Sequence, residues 1–174
     1  QAVNLGTLKG DAVGIFAGAL KHSGLVQAQT ITAEGGKVLL KAQGDNLVSG
    51  AVQGRNIDVL GERVGLLAGA AIDASGANGG GQVRIGGDYQ GKNPDVQNAK
   101  RTYVDAQATI KADATGHGDG GRVIVWSDET TRMHGQISAR GPVAKILKLV
   151  PLVKPVQARY ESQLEAAGRS DLSA

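Results

Sequence analysis

One short pattern recurs along this chain and narrows what it can fold into. Thr30-Ile31-Thr32-Ala33 leads to Gly35-Gly36-Lys37-Val38-Leu39-Leu40. Ala71-Ile72-Asp73-Ala74 leads to Gly80-Gly81-Gln82-Val83-Arg84-Ile85, and Thr109-Ile110-Lys111-Ala112 leads to Gly120-Gly121-Arg122-Val123-Ile124-Val125. A last copy, Gln136-Ile137-Ser138-Ala139, reaches Gly141, where the pattern stops. Each half alternates apolar with polar residues, the period of a half-buried strand. Ile and Ala point one way, as do Val and the aliphatic residue after it. The turn between the halves varies in length, with one residue before Gly35, five before Gly80 and seven before Gly120. A surface corner tolerates such variation and a packed strand does not. Asn78-Gly79 and Asp119-Gly120 supply residues that accept positive φ there.

Repetition of this kind points to a β-solenoid, in which each coil stacks on the one before. The isoleucine marks are 41, 38 and 27 residues apart, which implies one to two coils between marks. Further strands are expected at Asn56–Leu60, Val64–Leu67 and Thr102–Val104. A β-sandwich also has short strands and glycine turns, but gives no reason for the motif to recur. Composition agrees with stacked aliphatic layers: glycine is 27 of 174 residues and aromatics only 3%. The polar stretch from Gly86 to Asp95 breaks the pattern and reads as an excursion from the coil.

Several classes have little support. With no cysteine there is no disulfide framework or thiolate metal site. The net charge of +3 has no basic patch with interleaved aromatics, so no nucleic-acid partner is expected. The most apolar run, Ala12 to Leu20, is too short to span a bilayer, and Gln1–Leu5 does not read as a signal peptide. The expectation is therefore an internal or truncated piece of a longer exported protein.

The run from Gly120 to Gly141, GGRVIVWSDETTRMHGQISARG, together with Gly86-Gly87-Asp88-Tyr89-Gln90-Gly91, resembles the filamentous haemagglutinin family of two-partner-secreted bacterial exoproteins. The resemblance covers about residues 30 to 141. It implies an all-β chain coiled as a right-handed parallel β-helix. It also implies export by an outer-membrane transporter, a place outside the cell or on its surface, and adhesion to a host or surface receptor, protein or glycan. The family's amino-terminal secretion domain is not recognisable here. On this reading residues 1–141 are solenoid and 142–174 a divergent tail. Pro142 and the prolines at 151 and 155 break the pattern, and a short helix is expected over 156–167. The tail reads either as a cap or as an out-of-frame segment.

Site chemistry is sparse. His22, His117 and His134 are the only histidines, in no metal-ligand spacing. Gly116–Gly121 partly matches a calcium-binding nonapeptide, but once only. The glycine-rich turns lack the Gly-Lys-Ser/Thr of a phosphate loop. No catalytic residue, cofactor or metal is expected. Asp128 and Glu129 are adjacent and so face opposite ways. Arg84 and Arg122 show no aspartate ladder beside them, which suggests a solvated face. Trp126, the sole tryptophan, faces outward by alternation, and with Tyr89 is the candidate partner contact, although packing against the Tyr89 loop is the favoured reading. The leading function is a β-helical stalk of a surface adhesin. The alternatives are a haem- or haemopexin-capturing exoprotein and a carbohydrate-active β-helix enzyme using Asp128 and Arg122.

Overall fold

A computed structural model describes residues 1–29 and 36–141. The first copy of the motif, at 30–33, and the whole stretch 142–174 with its expected helix lie outside the described residues.

The strands follow one another in a repeating triplet. The first coil contributes β1 (Ala2–Asn4), β2 (Thr7–Gly10) and β3 (Ala12–Ala17). The next contribute β4 (Leu20–His22), β5 (Leu25–Ala28) and β6 (Lys37–Ala42), then β7 (Asp45–Val48), β8 (Ala51–Gln53) and β9 (Asn56–Leu60). After these come β10 (Arg63–Leu66), β11 (Ala71–Asp73) and β12 (Gln82–Ile85), then β13 (Arg101–Val104), β14 (Thr109–Lys111) and β15 (Arg122–Val125). The last described strands are β16 (Thr130–Met133) and β17 (Gln136–Ser138). Every third strand pairs, always in parallel. Sheet 1 is β1-β4-β7-β10-β13-β16, sheet 2 is β2-β5-β8-β11-β14-β17, and sheet 3 is β3-β6-β9-β12-β15. This is the arrangement of a β-solenoid. A sandwich would pair neighbouring strands antiparallel.

Stacking puts like residues in columns. In sheet 2 the column is Leu8, Val26, Val52, Ile72, Ile110, Ile137. In sheet 3 one column is Val13, Val38, Ile57, Val83, Val123, and its neighbour is Ile15, Leu40, Val59, Ile85, Val125. Most of these side chains are fully buried and form one continuous core. Each residue thus packs against its counterparts one rung away, and the alternation in sequence becomes an inside and an outside.

Ile72, Ile110 and Ile137 lie on consecutive coils, although their spacing differs. Loops between strands absorb the extra residues, the longest running between β12 and β13. The solenoid also begins earlier than the motif, since β1 to β5 already stack in register.

The glycine pair has a physical cause. At the corner before sheet 3, successive coils touch backbone to backbone. A Cβ on Gly81 would strike the carbonyl oxygen of Arg55, and one on Gly121 would strike that of Gly81. Only glycine allows this approach.

Sheet 1 carries polar groups inside. His22 is fully buried, with Nε2 against the Ala51 carbonyl at 3.1 Å and Nδ1 against the Asn4 amide nitrogen at 3.2 Å. A carbonyl can only accept, so Nε2 carries the proton and Nδ1 accepts from Asn4. Asn46, also fully buried, donates to the carbonyls of Leu40 and Leu60 and so ties two corners together.

Candidate functional site

Among the described residues, two surfaces gather charged and aromatic side chains. The first is the excursion between β12 and β13. It leaves at Gly86, makes a single 3₁₀ turn at Tyr89–Gly91, and returns at Lys100. Its core is Trp126, which is only 8% exposed. The indole Nε1–H donates to Asp128 at 3.0 Å, and the ring lies where a side chain on Gly87 or Gly91 would have to go. Thr102 donates its hydroxyl to the Trp126 carbonyl at 2.7 Å. Trp126 therefore faces outward from the sheet, as alternation predicts, and is roofed by the excursion. Tyr89 stays 38% exposed on that roof, with the Arg122 guanidinium 5.7 Å from its ring centroid.

The excursion is anchored by ions. Arg84 makes a bidentate pair with Asp58 at 2.6 and 2.7 Å, and its third nitrogen reaches Asp88 at 2.9 Å. The Arg84 side chain is only 18% exposed, so the expected solvated face is a semi-buried ion cluster instead. Asp58 lies one rung away across the sheet 3 register. The two acids raise the affinity of the Arg84 guanidinium for its proton. For Asp88, partial burial alone would push the carboxyl up. The Asn93 amide, the Tyr89 N–H and the Arg84 guanidinium outweigh that and hold it below the usual carboxylate range.

This arrangement makes a pH prediction. A carboxyl whose folded pKa is depressed stabilises the fold above its ordinary pKa and loses that contribution as pH falls through the folded value. Emission from Trp126 is therefore expected to stay constant from neutral pH down to about pH 4 and to shift red below it, as Asp88 protonates. In Asp88→Asn that step should be absent, and an unchanged step would contradict the assignment.

The second surface is the outer face of sheet 1. Its outward residues form two columns, Asp45-Arg63-Arg101-Thr130 and Lys21-Leu47-Gly65-Tyr103-Arg132. Between them lies a groove of about 690 Å³. Leu47, Gly65 and Leu67 make an apolar floor beside the ring of Tyr103. Arg63 pairs with Asp45 at 2.5 Å and Arg101 with Glu129 at 3.4 Å, both pairs exposed. Tyr103 donates its hydroxyl to Asp105 at 3.1 Å and packs against His134, with ring centroids 5.9 Å apart. This surface was not foreseen from the sequence, because its residues come from four coils of unequal length.

The remaining candidates are dispersed. His117 sits in the corner after β14, its N–H donated to Ala77, whereas His134 sits in the corner after β16. Among the described residues no group of three or more His, Cys, Asp or Glu could hold a metal ion. Arg122 and Asp128 engage Tyr89 and Trp126 respectively. Among the described residues no helix is long and apolar enough to cross a membrane.

Comparison with known proteins adds one finding. No protein-family model matches the chain. No curated protein matches it either. Among solved structures, the chain is similar to the crystal structure of the HMW1 secretion domain from Haemophilus influenzae, with a TM-score of 0.68 and 29% sequence identity. The alignment covers 82% of this chain and 40% of that one, so the chain spans less than half the length of its solved relative. That relative is a secretion domain, a kind of domain that the sequence reading did not recognise here.

Proposed function

We propose that this chain is a right-handed β-helical segment of a secreted bacterial exoprotein, passed through the outer membrane by a dedicated transporter and serving adhesion to host cells or surfaces. The observation that carries this reading is the likeness of its stacked coils, at 29% identity, to the HMW1 secretion domain. The sequence resemblance to two-partner-secreted exoproteins points the same way. Right-handed coiling follows from the strong preference of parallel β-crossovers for that hand. The solenoid suits such a role physically. Each coil contacts only its neighbours, so the fold can grow coil by coil as the chain emerges.

Export is tested by placing the chain behind a periplasmic signal peptide in a Gram-negative host, with and without a two-partner outer-membrane transporter. The proposal expects the chain in the medium only when the transporter is present. Retention in the periplasm beside a transporter that exports its own control substrate would count against it. The groove of sheet 1 and the roof over Trp126, with Tyr89, are the surfaces proposed to meet partners.

A further inference from the structure

We infer that the outer face of sheet 1 binds a linear carboxylated polysaccharide, laid along the solenoid axis over β7, β10, β13 and β16. This goes beyond the export reading and does not depend on it. The first argument is charge. Arg63, Arg101 and Arg132 surround the groove, against one lining carboxylate, Asp45. The ion pairs of Arg63 and Arg101 are solvent-exposed and hold these side chains weakly. Arg132 is exposed and has no ion pair among the described residues. Guanidinium groups bind carboxylates through paired N–H donors.

The second argument is shape. Leu47 and Leu67 lie over Gly65 and make an apolar step beside Tyr103, which is 38% exposed. A tyrosine ring is an amphipathic platform, apolar across its face and polar at its tip. It suits the C–H face of a sugar ring. Successive rungs lie about 4.8 Å apart, close to the length of one sugar in an extended glycan. Arginines on successive rungs can therefore meet successive carboxylates.

The third argument separates a glycan from an acidic peptide. Extended peptides gain affinity on β-proteins mainly by pairing their backbone with a free sheet edge. The groove crosses β10 and β13, each of which is already paired on both sides. A ligand here is held by side chains alone, which removes the peptide's main advantage.

The test uses the full chain and calorimetric titration. Polygalacturonate is the probe, dextran the neutral glycan and poly-glutamate the peptide polyanion. Polygalacturonate should bind, dextran should not, and poly-glutamate should bind at least about ten-fold more weakly. Arg132→Gln and Tyr103→Ala should each weaken polygalacturonate by about ten-fold. Lys9→Gln, on exposed sheet 2, should leave it unchanged. Circular dichroism checks that each variant is folded. If Tyr103→Ala does not fold, Arg132→Gln decides alone. No binding of polygalacturonate, equal binding of poly-glutamate, or an equal loss in Lys9→Gln would each overturn the inference.

Discussion

Replacing Gly121 by alanine should lower the unfolding free energy by about 3 kcal/mol, the upper range for forcing an extra methyl into a filled site. The reason is local and geometric. The added Cβ would meet the Gly81 carbonyl oxygen and the Gly80 carbonyl carbon of the neighbouring coil, and the Ala112 methyl at 2.8 Å. Two of these are backbone atoms held in the stack: the Gly80 N–H donates to Asp119, and the Gly81 carbonyl accepts from the Arg122 N–H. Relief therefore requires the coils to part. Gly18 provides the control. A Cβ there meets nothing within 4 Å. Gly18→Ala should be neutral or stabilise by up to about 1 kcal/mol, since it only restricts the unfolded chain. Urea titration of both variants measures the contrast. Equal effects would mean that the corner is not a backbone contact.

Ile110→Ala should cost about 2–5 kcal/mol, the range for emptying a fully buried aliphatic site. Ile110 is 0% exposed and sits in the sheet 2 column between Ile72 and Ile137. A solenoid has little means of closing such a gap, because strands on either side are fixed by their own rungs. The cavity should therefore persist, which places the expected cost in the upper part of that range. Leu8, at the first described rung of the same column, is 39% exposed. Leu8→Ala should cost clearly less than Ile110→Ala in the same titration. The gradient along one column distinguishes a stack from a globular core, in which burial need not follow coil number.

The parts of this fold that were legible in sequence are those where alternation and glycine coincide. Ile72, Ile110 and Ile137 align as one column, and Val83 and Val123 as another, as the motif implies. The strand at Asn56–Leu60 matches its expected bounds. The first coils were harder to read because polar residues occupy inward positions. Asn4 and His22 bond to each other, and the His22 ring and the Asn46 amide nitrogen reach nearby carbonyls, so polar groups stand where an apolar period would be. The glycine pair is also missing from the first coil, whose corner into β3 is Gly10-Asp11.

Long-range pairs were invisible for a different reason. Arg84 and Asp58 are 26 residues apart, and nothing local marks them as neighbours. Register alone brings them together, and register depends on loop lengths that vary from coil to coil. The groove of sheet 1 is the extreme case. Tyr103 is an ordinary strand residue until Gly65 on one side and Arg132 on the other are known to flank it. Trp126 was better placed by sequence, because the aromatic residue and the polar excursion that covers it were both conspicuous.

The central claim is that strands three apart in sequence stack in parallel register. Because the chain has no cysteine, engineered pairs report on this without background. Asp73 and Lys111 are direct partners on adjacent rungs of sheet 2, whereas Asp73 and Ser138 are two rungs apart. Adjacent rungs lie about 4.8 Å apart, within the reach of a disulfide, and two rungs exceed it. Under mild oxidation, Asp73→Cys with Lys111→Cys should form an intramolecular disulfide in high yield. Asp73→Cys with Ser138→Cys should not. Equal crosslinking of both pairs, or none in the first, would contradict the solenoid.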